Sequence, residues 1–388
     1  MRRPSWNEFG SRADDRGTTR RGIAGATLAA LLAIAFGCGE AGSASAGGDQ
    51  HAQSERDGGH DKKHDGDKKK HDREGGSKAD RSREVTYFLT THGDGRVVPF
   101  VGITADGSLV SSILQGVPDT YTLREGRCVT PIAGGGYLLV DAHDTATQIL
   151  RLGPLADDGT VAFQSVFLQN DAANPAMRHT YQVAIAPDGS VYCSNQDTDT
   201  VTRYAGLSAS NPGAPLPPPP SLAKLDSPAP GLFLPSEKMH KGGLHEVRGI
   251  VFGPDGLLYV ADRDRPEVAA YDPATGERKR ILLSSENKLG HPIQIVFTPD
   301  GKRMFVSDNG RDCVWAVDLA SGAASVFVPE HANGLKEVSA VLVDGDRLLV
   351  AGRGNRAILS VSLADGTIAS EPFVKDLKDD PEFLLRVR

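Results

Sequence analysis

Between Phe252 and Gly366 the chain writes one unit three times: FGPDGLLYVADRDRPEVAAYDPATG, FTPDGKRMFVSDNGRDCVWAVDLASG and LVDGDRLLVAGRGNRAILSVSLADG. Each reads as an apolar strand, a tight Asp-Gly turn, a second strand, a polar turn and a third strand. From Asp255 to Asp300 to Asp344 the steps are 45 and 44 residues. That is the length of a four-stranded propeller blade, so the repeat constrains the fold more than any other feature of the chain.

The unit recurs upstream in weaker form. IAPDGSVYCSNQDTDTVTRY spans Ile185 to Tyr204, IAGGGYLLVDAHDTATQILRLGPLADDG spans Ile132 to Gly159, and VTYFLTTHGDGRVVPFVGITADG, which lacks a first strand, spans Val85 to Gly107. Each copy is followed by a fourth apolar run: SSILQG, SVFLQN, GLFLPS, RILLSS, SVFVPE and EPFVKD. The fold class is therefore all-β, a six-bladed β-propeller with blades over 85–116, 124–170, 178–236, 244–285, 290–330 and 336–376. The strand Phe383 to Val387 is expected to complete blade one, closing the ring with the C-terminus and removing open edges. A Pro-rich insertion, Ser208 to Pro230, falls between the third and fourth strands of blade three and reads as a stiff surface excursion.

The N-terminus is of another kind. Arg20 and Arg21 precede an unbroken small and apolar run, Gly22 to Gly37, that ends at Cys38. The run is short for a membrane span and suits an export signal. The tail AFGC resembles a bacterial lipobox, which makes Cys38 the candidate lipidation site. Residues 1–38 are thus expected to direct export, with the mature chain at the cell envelope, anchored by lipid or secreted. Residues 39–83 hold no apolar side chain larger than alanine up to about Arg83 and alternate Lys, Asp and His. Such a stretch cannot bury enough surface to offset its ordering entropy and reads as a disordered tether. The propeller domain is 84–388. Cys128, Cys193 and Cys313 sit in apolar runs and are expected as buried free thiols. A formal charge of −7 offers no basic surface, which excludes nucleic acid as a partner class.

Blade geometry places the candidate site. The start of the innermost strand and the end of the second strand share one face. His179 and His291 lie ten residues before Gly189 and Gly301, and His245 lies eleven before Gly256. These three histidines are expected near the channel mouth, with Arg178, Glu246 and Arg248 beside them and with Asp141, Asn195, Asp262 and Asp308 closing the second strands. Three neutral imidazoles around an open position suit a divalent metal such as zinc, whose bound water would be acidified. The repeated Asp also has a plain structural explanation, as an acceptor for backbone N–H groups of the adjoining turn.

The pattern of Pro-Asp-Gly, then Tyr-Val-Ala-Asp or Phe-Val-Ser-Asp, then DPATG or DLASG resembles NHL-repeat, YVTN-repeat and gluconolactonase-like propellers over nearly all of Val85 to Arg388. The resemblance implies fold strongly and function weakly, since such propellers include binding modules, lactonases and lyases. It also implies possible chemistries: a histidine-bound zinc as in the amidating lyase, an acid-base pair such as His179 or His291 with Glu246 and Arg248 as in streptogramin-lyase-like propellers, or calcium as in gluconolactonase-like ones. The leading expectation is a monomeric envelope propeller whose histidine-bearing face binds a small molecule or a protein partner. A metal-dependent lactonase or lyase is the alternative, and an assembly module working through the polyproline segment is the third.

Overall fold

A computed structural model describes residues 84–92, 100–118, 121, 123–143 and 146–388. The expected export signal, Cys38 and the tether lie outside the described residues. Apart from three short 3-10 turns, every regular element within these residues is a strand.

Blades three, four and five follow the repeat directly, each an antiparallel sheet whose strands run in chain order from the channel outward. Blade four, for example, is Val247–Phe252, Leu258–Asp262, Glu267–Tyr271 and Arg278–Leu283. The Asp-Gly turns work because glycine enters the left-handed region without a Cβ clash, as at Gly189 (φ 85°), Gly256 (76°) and Gly301 (67°). Blade six has three full strands, Val338–Asp344, Arg347–Gly352 and Ala357–Ser362, with its outer segment held by bridges from Val374 to Ile358 and from Ile368 to Val361.

The ring closes through the C-terminus, as the spare apolar run predicts. Asp380–Arg386 is the innermost strand of blade one and pairs with Val85–His92, Leu89 opposite Leu384 and Thr90 opposite Phe383. It starts three residues earlier than the sequence suggests. The innermost strands of the six blades touch in succession and the last meets the first, so no blade is left with an open inner face.

One expectation is corrected. The run SSILQG is not the outer strand of blade one. That place is taken by Leu109–Val110, while Leu114–Gln115 crosses over and pairs parallel with Val161–Ala162 of blade two. The parallel addition covers the start of that outer strand and buries Ile113 against blade two's core. The Pro-rich insertion does lie between the third and fourth strands of blade three, Thr200–Tyr204 and Leu232–Leu234, but it is not a free spacer. Leu222 is buried, Arg203 Nη2 donates to the Pro217 carbonyl (2.7 Å), and Ser221 N donates to the Thr275 carbonyl (3.0 Å) of blade four.

The core lies between blades as flat apolar layers. Aromatic side chains of one blade meet the next edge-on: Tyr192 and Phe252 join blades three and four at 5.2 Å between centroids, and Tyr259 and Phe297 join four and five at 4.9 Å. Each such pair adds about 1 kcal/mol beyond the area that it buries. At the channel the backbones themselves close up. A Cβ on Gly249 would sit 2.2 Å from the Ile293 carbonyl oxygen, so only glycine fits there. Cys128, Cys193 and Cys313 are buried free thiols, as expected.

Candidate functional site at the channel mouth

The site is set by where the inner strands begin. In blades two to six the residue before the inner strand accepts a backbone N–H from the end of the second strand or just beyond it: Ala142 to Glu125, Gln196 to His179, Arg263 to Glu246, Asn309 to His291 and Arg353 to Glu337. These five accepting residues are therefore structural equivalents. The blade-four member is Glu246, ten residues before Gly256, and not His245. The three expected histidines thus do not share one position.

Nor do they gather around one point. Among the described residues no group of three or more His, Cys, Asp or Glu is placed to hold a metal ion. His245 is an exposed residue whose backbone N–H is held by Asp262. His179 Nε2 lies 2.8 Å from Arg127 Nη2, and its Nδ1 lies 3.0 Å from Asp197 Oδ1. A guanidinium can only donate, so Nε2 accepts and Nδ1–H donates to Asp197, giving a neutral imidazole. Its lone pair is already taken. Zinc or calcium therefore does not fit this set, and no chemistry is routed through one.

The carboxylates that end the second strands face the backbone. Asp308 accepts from the N–H groups of Gly290 and His291 (both 2.8 Å), Gly310 and Arg311, and from Trp315 Nε1 (3.1 Å). Asp262 accepts from His245 N (3.0 Å), and Asp141 from Arg124 N, Glu125 N (both 2.8 Å) and the Tyr121 hydroxyl (2.6 Å). Asn195 accepts from the Thr180 hydroxyl (2.8 Å) and donates to Thr202 (3.0 Å). All four are buried. The three Asp side chains staple the entry loops of blades two, four and five to their second strands, Asn195 ties its strand to both neighbours in blade three, and burial pushes Asp262 up to about 7. For Asp141, Asp262 and Asp308 this is the acceptor role that the repeated Asp was also expected to have. Arg178 is exposed beside the mouth.

What occupies the mouth instead is a charged cluster. One layer in from the rim the inner strands contribute Glu382, Arg127, Tyr181, Arg248, Ile293 and Ser339 from blades one to six, all buried. Glu382 Oε1 accepts from Arg127 Nη1 (2.8 Å), and its Oε2 from Arg353 Nη2 (2.5 Å) and the Tyr181 hydroxyl (3.1 Å). Burial alone would raise the Glu382 carboxyl, but Arg353 and Arg127 outweigh it and hold it at about 2. Arg127 also donates to Glu125 (2.6 Å), which pairs with His92 (3.2 Å).

A second fork stands at the rim. Glu246 is bonded by both Arg248 and Arg263, and Arg263 reaches Asp264 as well (3.1 Å). Burial would raise Glu246, but Arg248, a hydrogen bond from Asp264, and Arg263 bring it to about 2. Asp264 is raised to about 6, first by burial and then by sharing that bond with Glu246. Arg248, buried and 5.4 Å above the Tyr181 ring, is lowered by burial to about 10 and stays charged at neutral pH. His291 faces Arg263, Glu246 and Arg248, and burial followed by Arg263 keeps its imidazole below the ordinary value. His179 is lowered by burial and then by Arg127, against the pull of Asp197.

The residues Glu246, Arg248 and His179 of the expected site are thus in the cluster, and His291 borders it. Glu382, Arg353, Arg127, Tyr181 and Arg263 are not among the expected site residues. Glu382 sits in the closing strand, whose register only the ring defines, and Arg353 follows a blade-six strand that ends in Gly352 rather than Asp.

No protein-family profile and no curated protein sequence matches the chain. Solved structures do. A candidate 6-phosphogluconolactonase from Bacteroides fragilis is 15% identical, covering 81% of this chain and 100% of that one, with a TM-score of 0.51. A protein from Lactobacillus plantarum is 14% identical over 78% of this chain and 98% of its own, with a TM-score of 0.50. Virginiamycin B lyase from Staphylococcus aureus aligns at 12% identity over 76% of this chain and 89% of its own, with a TM-score of 0.45. At these identities the likeness is one of fold alone, the β-propeller architecture.

Proposed function

We propose that the chain is an extracytoplasmic, lipid-anchored propeller that binds a small-molecule ligand at the channel mouth, on the face that carries His179, Glu246 and His291. The observation that carries this reading is the buried cluster of Arg127, Arg248, Arg353, Tyr181 and Glu382. Burying ions costs several kcal/mol each unless they are paired, and packed apolar side chains do as well or better for stability. Blade five shows that the fold accepts this, since Ile293 fills the same layer. A rigid ring that sets several charged groups around one opening is the arrangement that a polar ligand needs.

The test is a screen of small polar metabolites against the full chain, read by the imidazole resonances of His179 and His291. Binding at the mouth moves both. A library that leaves both signals in place while binding elsewhere would sink the reading. Export and anchoring have their own test. Cells fed labelled palmitate should mark the wild-type protein and leave Cys38→Ala unlabelled.

A lactonase- or lyase-type activity is the second reading, favoured by one observation: His291 is an imidazole kept neutral at pH 7 beside Glu246. A neutral imidazole is a general base. Turnover of a lactone by the wild type, reduced 100-fold or more in His291→Ala with binding retained, is the result expected of an enzyme.

A further inference from the structure

The hydrogen-bond inventory beneath the mouth is uneven. Every carboxylate there is engaged: Glu382 by Arg127, Arg353 and Tyr181; Glu246 by Arg248 and Arg263; Asp197 by His179; Asp264 by Arg263. The guanidiniums are not used up. Each carries five N–H donors and no acceptor. Nη1 of Arg248 and Nε of Arg353 are buried with no acceptor at all. A buried donor without a partner costs about 1–3 kcal/mol, more when charged. Arg248 is 7% exposed, while the Arg263 and Arg353 side chains, at 26% and 21%, are the ones that solvent reaches first.

We infer that the ligand presents an oxyanion, a carboxylate or phosphate group, to Arg248, Arg263 and Arg353. The inference rests on the reading of the mouth as a ligand site. Net potential is not what selects the anion, because Glu125, Glu246, Glu382, Asp197 and Asp264 at least match the guanidiniums in number. Selection comes from guanidinium geometry that matches an oxyanion, with Arg248 Nη1 and Arg353 Nε unfilled and the Arg248–Arg263 fork held only by the partly exposed Glu246. Glu246 already shows the fit, since its carboxylate bridges Arg248 and Arg263. It is a tethered occupant of the fork, and a free oxyanion takes its place when the partly exposed Glu246 side chain turns to solvent.

The experiment is calorimetric titration of the full chain in detergent with succinate and with inorganic phosphate, using succinamide as the uncharged control. Wild type binds an anion and not succinamide, and whichever of succinate and phosphate is tighter identifies the group. Arg263→Ala weakens that binding at least tenfold with an unchanged melting temperature. Glu246→Ala removes the tethered competitor and tightens binding, by about tenfold if the fork is free a tenth of the time. Anion binding indifferent to both substitutions overturns the inference. So does the absence of anion binding in wild type and Glu246→Ala alike when an uncharged compound from the metabolite screen binds, an outcome that leaves the ligand site standing. If nothing binds, both fall.

Discussion

Glu382 is the residue on which the mouth's charges depend. Its buried carboxylate meets two guanidiniums and a phenol, so removing the charge leaves Arg353 without its carboxylate partner and Arg127 with Glu125 alone. Glu382→Gln is expected to cost about 3–5 kcal/mol, read as a lower urea midpoint with an unchanged slope. The pH dependence has a definite sign. Glu382 and Glu246 are held at about 2 in the folded chain, below the value near 4.3 of an unfolded glutamate. Their stabilisation is fully present above about pH 4.3 and is lost as pH falls toward 2. Urea midpoints between pH 2 and 6 should therefore fall steeply below about 4, and less steeply in Glu246→Gln. His179 should show the Nδ1–H tautomer in nitrogen-proton correlation spectra and titrate below the ordinary imidazole range, since burial and then Arg127 lower its pKa.

At the level of the element, the closing strand Asp380–Arg386 does what no internal strand does. It joins the ends of the propeller's chain, supplies Glu382 to the mouth and, at the opposite face, places Arg386 on Asp344 of blade six, which also takes the Tyr87 hydroxyl (2.6 Å) and Arg347 (2.9 Å). Removing residues 380–388 exposes the inner edges of blades one and six together. The truncated chain should lose its cooperative melting transition and aggregate, whereas Asp344→Ala, which cuts only the clasp, should melt lower but still cooperatively. The strand was legible in the sequence as a leftover apolar run, and so was its place in blade one. Its register was not, because register is chosen by the partner strand and by the apolar layer that it faces. The same cause explains the misplaced SSILQG run. Short outer runs carry little apolar surface of their own, and which edge they join depends on what lies nearby in the folded ring.

For the whole molecule, the ring makes each blade depend on two neighbours, and closure makes the set cooperative. Metal binding is tested at this scale too. Purified protein lacking the His-rich residues 39–83 is expected to carry far less than one equivalent of zinc or calcium by elemental analysis. A full equivalent lost on His179→Ala would restore the three-histidine site. Spacing along the chain comes within one residue of the structural equivalents: counting back ten from the turn glycine selects His179, Glu246 and His291, with His245 beside them. What the sequence by itself determined was the blade, its number, its turns and the closure through the C-terminus, because these follow from local periodicity and from leftover apolar strands that must be buried. What only the tertiary structure decided was the site. Arg127, Tyr181, Arg248, Arg353 and Glu382 come from five different blades, four from strands and Arg353 from a turn, and no spacing along the chain encodes their meeting. They converge because the inner strands close around an axis, and pairing of buried charges then selects which side chains turn toward it.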